Sequence, residues 1–187
     1  RGRLGGEDVA FLKPQTIMNL SGQSAQPAAA FLKLPVENVV VVYDEIDLPF
    51  GEVRIKKGGG HGGHNGIRSL LERLGTPEFV RVRIGIGRPP TGFKGDVADY
   101  VLMRFDAEER PLLPDLWSKA ADAAEDVVRL GFLEAMNRRN GKAAAGPRRT
   151  AKPGGDAATK PPPSGKGAGG ANKKAPPPGP GPDEGLS

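Results

Sequence analysis

Five residues carry most of the chemistry open to this sequence: two asparagines, Asn19 and Asn65, two histidines, His61 and His64, and Asp44. Asp44 directly follows the β-branched run Asn38 to Tyr43 (NVVVVY), in the stretch YDEIDLP. Sites in open α/β sheets gather at the carboxyl ends of strands, where a carboxylate can orient a histidine or bind a metal. The same aspartate could equally be a turn former ahead of Leu48 and Pro49. Gly58 to Gly66 reads GGGHGGHNG, with five glycines before Asn65 and a helical pattern directly behind it. Glycines permit positive φ and close approach of backbone to a ligand. Asn65 is placed to cap the helix, whose first N–H groups attract anions. No Gly-Lys-Ser/Thr follows, so this is not a Walker loop, and it does not stand where a dinucleotide fingerprint stands. His61 and His64 are three residues apart, but no third metal ligand is evident and HExxH spacing is absent. Hydrogen bonding to a polar substrate, or bracing of the loop, fits them better than metal. In Met18 to Gly22 (MNLSG) the Asn19 amide can pair with a carbonyl or hydroxyl, or the stretch can simply start a helix. Lys56 and Arg83 come from two different strand patterns and could converge on a phosphate, which arginine binds bidentately; otherwise they are solvated strand charges.

The elements that must position these groups alternate in type. Asp8 to Lys13 reads as a strand, and Ser21 to Leu32 as a helix entered through Ser21 or Ser24. Pro27 suits the first turn of that helix, and a start well before Ser24 predicts a kink there. Asn38 to Tyr43 predicts a strand buried on both faces, and Glu52 to Lys57 a second strand. Ile67, Leu70, Leu71 and Leu74 fall at i, i+3, i+4 and i+7, an amphipathic helix stopped by Gly75. In Phe79 to Ile86, Val80, Val82, Ile84 and Ile86 face one side and Arg81 and Arg83 the other. Asp115 to Asn137 holds one or two helices interrupted at Gly131. Strands alternating with helices imply helices layered on a central sheet.

Residues 1–140 predict one folded domain, and 141–187 a disordered basic tail rich in Pro, Gly, Ala and Lys, too poor in large apolar residues to offset its chain entropy. Of 27 basic and 22 acidic residues, eight and three fall from Gly141 onward, leaving nineteen of each sign before it. The net charge of +5 therefore says nothing about the domain. Its charge is segregated all the same: eight basic residues lie between Arg54 and Arg88 against Glu72 and Glu78, and seven acidic ones between Asp106 and Asp126 against Arg110 and Lys119. Such a positive face can hold a polyanion locally. No cysteine is present, which excludes disulfides and thiolate zinc sites, and no apolar run is long enough for a membrane span. A soluble cytoplasmic protein is the expectation.

Four stretches together resemble one family, the bacterial-type peptidyl-tRNA hydrolases. They are KPQTIMNLSG (Lys13 to Gly22), VVYDEIDLPFG (Val41 to Gly51), KKGGGHGGHNGIRSL (Lys56 to Leu70) and VRVRIGIGRP (Val80 to Pro89), in the family's order and with similar spacings. The likeness covers Glu7 to Arg138. It implies a monomeric three-layer α/β/α fold with a central mixed, twisted sheet, and hydrolysis of the ester joining a peptide to the 3′-terminal ribose of tRNA, without metal or cofactor. By motif match, Asp44 is the carboxylate that orients the catalytic histidine. Asn19 and Asn65 bind the peptide and 3′-terminal region, His64 lines the same cleft, and Lys56 and Arg83 clamp the tRNA 5′-phosphate. Ile17 stands where the family often has an aromatic residue against the tRNA end, so stacking there is lost.

The family opens with a strand, a glycine-rich turn bearing an Asn, a Tyr and the catalytic histidine, none of which this sequence contains; it starts at Arg1 and has only His61 and His64. A correctly oriented imidazole is what activates the attacking water in this scheme. The expectation is a chain with little activity alone and a sheet lacking its first strand. Two competing readings are an RNA-binding relative without catalysis and a nucleotide enzyme using the Gly58 to Gly63 loop. The second lacks a Walker lysine, and titration with ATP against tRNA separates the two.

Overall fold

The computed structural model describes residues 1–141. Its β-branched runs pair into one sheet, β3 (Val40–Glu45), β4 (Val53–Lys57) and β5 (Val80–Gly85), in the order β3-β5-β4. β5 runs parallel to β3, with Val40 opposite Val80 and Asp44 opposite Ile84. It runs antiparallel to β4, with Lys56 opposite Arg81 and Arg54 opposite Arg83. The sheet is therefore mixed.

Successive strand residues point to opposite faces, and each face finds its own helices. On one face Val80, Val82, Ile84 and Ile55 bury against Leu116, Ala120, Ala123 and Val127 of α4 (Leu113–Leu130) and Ala135 of α5 (Phe132–Asn140). On the other, Val39, Val41, Tyr43 and Phe79 pack with Ile67 and Leu70 of α2 (Asn65–Leu74) and Ala25 of α1 (Ser21–Phe31). This is the three-layer α/β/α arrangement that the family resemblance implies, and it meets the broader expectation of helices layered on a central sheet. Both faces of β5 are covered, so Val80 and Val82 are almost completely buried. β3 lies at the edge of the sheet, and Val42 there is 48% exposed, which corrects the expectation of a strand buried on both faces.

α1 starts at Ser21 and continues past Pro27 to Phe31, so the proline stands in the helix interior rather than its first turn. α1 packs on α2 through Gly22. A Cβ there would lie 2.2 Å from the Ser69 carbonyl oxygen, and the Gly22 N–H donates to Ser69 Oγ at 3.0 Å. α2 ends as predicted, with Gly75 at φ 72° and its N–H on the Leu71 carbonyl. Gly131 separates α4 from α5.

Two further elements differ from expectation. The strand anticipated from Asp8 to Lys13 is only β2 (Glu7–Val9), hairpinned to β1 (Gly2–Leu4); the ladder stops at the Gly2–Val9 pair, and Phe11 beyond it is 86% exposed. A five-residue helix not anticipated, α3 (Val97–Val101), forms behind a capping box in which Asp96 and Asp99 each accept the other's main-chain N–H. The last element ends at Asn140; beyond Gly141 the expected disordered tail lies outside the described residues.

Candidate active site

The glycine-rich loop carries the chain from β4 to α2. Gly58, Gly59, Gly62 and Gly63 all have positive φ, from 55° to 90°, a region that costs a residue with a Cβ about 1–2 kcal/mol. These four glycines are what allow the loop to deliver His64 to the start of α2.

His64, not Asn65, is the N-cap. Its Nδ1 accepts the main-chain N–H of Gly66 at 3.1 Å and of Ile67 at 3.2 Å. An acceptor nitrogen carries no proton, so the neutral ring holds its proton on Nε2. Nε2 lies 3.5 Å from Asp44 Oδ1, at the outer limit of a hydrogen bond. The Tyr43 ring meets the imidazole edge-on, with centroids 5.0 Å apart. Hydrogen bonding from His64 holds the Asp44 carboxyl below the usual carboxylate range, against an opposing contribution from burial. Burial, reinforced by Glu45, pushes the neighbouring Tyr43 phenol up.

Asn65 is thereby freed from capping and takes the first position of α2. It lines a hollow of about 410 Å³ with Met18, Asn19, Arg68, Ser69 and Glu72. Asn19 arrives on a one-turn 3₁₀ helix, Met18–Leu20, ahead of α1. Met18 sits against His64 at Gly66: a Cβ on that glycine would lie 2.6 Å from Met18 Sδ and 3.0 Å from His64 Cε1. The structure thus brings Asn19 and Asn65 into one hollow. Asp44 does not line it; it connects through His64, the residue before Asn65.

Ile17 precedes Met18 and is 67% exposed. Lys56 and Arg83 lie diagonally across β4 and β5 on the same face. Lys56 is exposed, whereas both Nε and Nη2 of Arg83 reach Glu45 Oε2 at 3.0 Å. The two cations are neighbours, but only Lys56 is unengaged by a carboxylate. His61 accepts the Gly63 N–H on Nδ1 at 3.0 Å, so it braces its own loop. Among the described residues no three His, Cys, Asp or Glu side chains stand close enough together to hold a metal, and no helix is long and apolar enough to cross a membrane.

The sequence reading missed Arg68, Ser69 and Glu72. A signal for them existed: Asn65, Arg68, Ser69 and Glu72 fall at i, i+3, i+4 and i+7, the polar counterpart of the apolar stripe on α2.

A family profile described as peptidyl-tRNA hydrolase matches residues 1–147. A peptidyl-tRNA hydrolase of Sorangium cellulosum is 50% identical over 155 residues, 83% of this chain and 70% of the relative. One from Geotalea daltonii is 50% identical over 141 residues, 75% of this chain and 72% of the relative. The crystal structure of peptidyl-tRNA hydrolase from Acinetobacter baumannii superposes with a TM-score of 0.66 at 38% identity, covering 75% of this chain and 70% of that one. With half of its aligned residues shared with curated relatives and the same layered fold as the solved one, the chain belongs to the peptidyl-tRNA hydrolase family.

Proposed function

We propose that this domain takes peptidyl-tRNA as its substrate and serves hydrolysis of the ester between the peptide and the 3′-terminal ribose, recycling tRNA from prematurely released chains. The observation that supports this is the shared hollow of Asn19 and Asn65 beside the His64–Asp44 contact. Two carboxamides can each donate to a carbonyl or hydroxyl and accept in return, which suits the amide and ribose groups flanking the scissile ester. Lys56 and Arg83 are assigned to the tRNA 5′-phosphate, with Glu45 surrendering part of its hold on Arg83 when phosphate arrives. Ile17 offers aliphatic contact to the tRNA end without stacking.

The base that activates water is neither described histidine. His61 and His64 each commit Nδ1 to main-chain N–H groups, so Nε2 is the protonated nitrogen of each neutral ring and offers no lone pair. Asp44 is therefore assigned to orient an imidazole from the segment that the family carries ahead of its first matched motif. Little turnover by the 187-residue chain alone follows from this assignment. The domain acts as a cytoplasmic monomer without metal or cofactor in this reading.

The committed histidines also favour a second reading, an RNA-binding relative that does not catalyse. Ester release from N-blocked aminoacyl-tRNA separates the two. The chain alone should release little, and a longer product joining it to a family opening segment that carries the histidine should release ester readily. Rapid release by the bare chain would show that the base has been misassigned; none by the longer product would favour the non-catalytic reading.

A further inference from the structure

Arg81 and Arg83 alternate identically on β5, yet the structure treats them differently. Arg81 is 2% exposed and has its guanidinium carbon 4.6 Å from the centre of the Phe79 ring. Its Nη1 donates to the Gly60 carbonyl at 2.6 Å and its Nη2 to the Gly59 carbonyl at 2.5 Å, while Nε has no hydrogen-bond partner among the described residues. Tyr43 lies diagonally from Arg81 across the β3–β5 ladder, on the same face of the sheet, where the guanidinium charge favours the ionised phenol against the larger effect of burial. A buried cation held by carbonyls is worth keeping only if something needs its shape, because desolvating the charge is costly. The shape is a planar fork, whose two parallel N–H groups fix two successive carbonyls at once.

What those carbonyls fix is the path to His64. Gly60 is followed by His61, whose carbonyl accepts the His64 main-chain N–H at 2.9 Å. Across the ladder Arg81 neighbours Tyr43, whose ring packs against the His64 imidazole. Arg81 thus holds the loop that leads to His64, adjoins the strand residue that packs on its ring, and is withdrawn from solvent.

We infer that Arg81 is a positioning residue: it shapes the glycine loop and the Tyr43 ring so that the His64 ring stays locked between the start of α2 and Asp44. It is not one of the tRNA contacts, although its strand pattern matches that of Arg83. The catalytic meaning of this role rests on the proposed function; the geometry itself does not.

The test uses the full chain and needs neither tRNA nor turnover. With the imidazoles labelled by nitrogen-15, the two histidines report their tautomers by NMR at about pH 8.5, where an ordinary imidazole is neutral. The parent should show His64 in one tautomer, protonated at Nε2. Arg81→Met should shift the His64 Nδ1 and Nε2 signals towards the averaged values of a free ring. Arg81→Lys, with one ammonium in place of a fork, should restore that signature only in part. Lys119→Met and Asp126→Asn, both on α4 across the sheet from His64, should leave His64 unchanged, the latter controlling for lost stability alone. His64 signals identical to the parent in whichever Arg81 variant folds would overturn the inference. Failure of both Arg81 variants to fold, with the two controls folded, would also overturn it, by making Arg81 a requirement of the fold and not of the loop. Ester-release data that contradict the proposed function would leave this result standing.

Discussion

His64 bridges a helix and a strand end: its Nδ1 caps α2 while its Nε2 faces Asp44 Oδ1 at 3.5 Å. One ring thereby ties the glycine-rich loop, the first turn of α2 and the end of β3. The carboxylate gains from this only when ionised. Its folded pKa is lowered, so the contribution to stability is present above the unfolded value of about 3.9 and fades as pH falls through the folded value. Asp44→Asn should therefore be less stable than the parent near neutral pH, with the gap closing as the solution is acidified below about pH 4. Urea unfolding across that range checks it. A gap that persists unchanged into acid would mean that the loss is one of shape rather than charge.

Gly22 should tolerate no side chain. A Cβ would meet the main-chain oxygen of Ser69, which cannot swing away as a side chain could. Gly22→Ala should cost about 1–3 kcal/mol by overpacking. Because α1 carries the Asn19 turn at its start, the same change should disturb the hollow. The midpoint of chemical unfolding gives the first effect, and the shift of the Asn19 side-chain amide signals gives the second.

Asp126 joins α4 to α5. It is 7% exposed, accepts from Arg139 Nε and lies 3.6 Å from Arg138 Nη1. The hydrogen bond from Arg139 holds its carboxyl below the ordinary range, and the sign is that of Asp44: stabilising above the unfolded pKa, lost on acidification. Asp126→Asn should cost about 1.5–3 kcal/mol at neutral pH, the range for hydrogen bonds to charged groups. Thermal melts at pH 7 and pH ~3.5 should differ for the parent by more than for the variant.

The Asn140 side chain acts as a substitute strand. Its Oδ1 accepts the Ile55 N–H and its Nδ2 donates to the Ile55 carbonyl, each at 2.8 Å, along the outer edge of β4. An unpaired edge is a template for association with another chain. Asn140→Ala should lower stability by about 1–3 kcal/mol, two hydrogen bonds' worth, and raise the tendency to self-associate. Sedimentation at rising concentration reads the second effect.

How much of this was readable beforehand depends on the range of the physics involved. β5 announced itself because both of its faces are covered, so Val80, Val82 and Ile84 alternate against a background that the sheet enforces. α2 did so because Ile67, Leu70, Leu71 and Leu74 mark its buried stripe and Gly75 its left-handed end. The half-exposure of Val42 was not readable, since the neighbours of β3 decide it and the run NVVVVY reads the same at an edge as in the middle. Asn65 was expected as the cap because carboxamides cap helices more often than imidazoles do. His64 took the place because Asp44, twenty residues away in sequence, engages the far side of its ring. Arg81 and Arg83 differ through what stands above each, a loop in one case and Glu45 in the other, and no periodicity records that.

The phosphate assignment is open to salt. Binding of tRNA should weaken steeply as salt rises, and Lys56→Ala should lower the slope of log K against log salt by about 1. Arg83→Ala should do the same while leaving Glu45 without its cationic partner. Unchanged slopes in both variants would move the contact elsewhere.

The most direct test of the hollow is an NMR titration of the labelled chain with an RNA that reproduces the acceptor end of tRNA. The side-chain amide signals of Asn19 and Asn65 should move together, with the same midpoint, and the His64 ring signals should move with them. Shifts confined to the β4–β5 face around Lys56, with both asparagine amides still, would contradict the account.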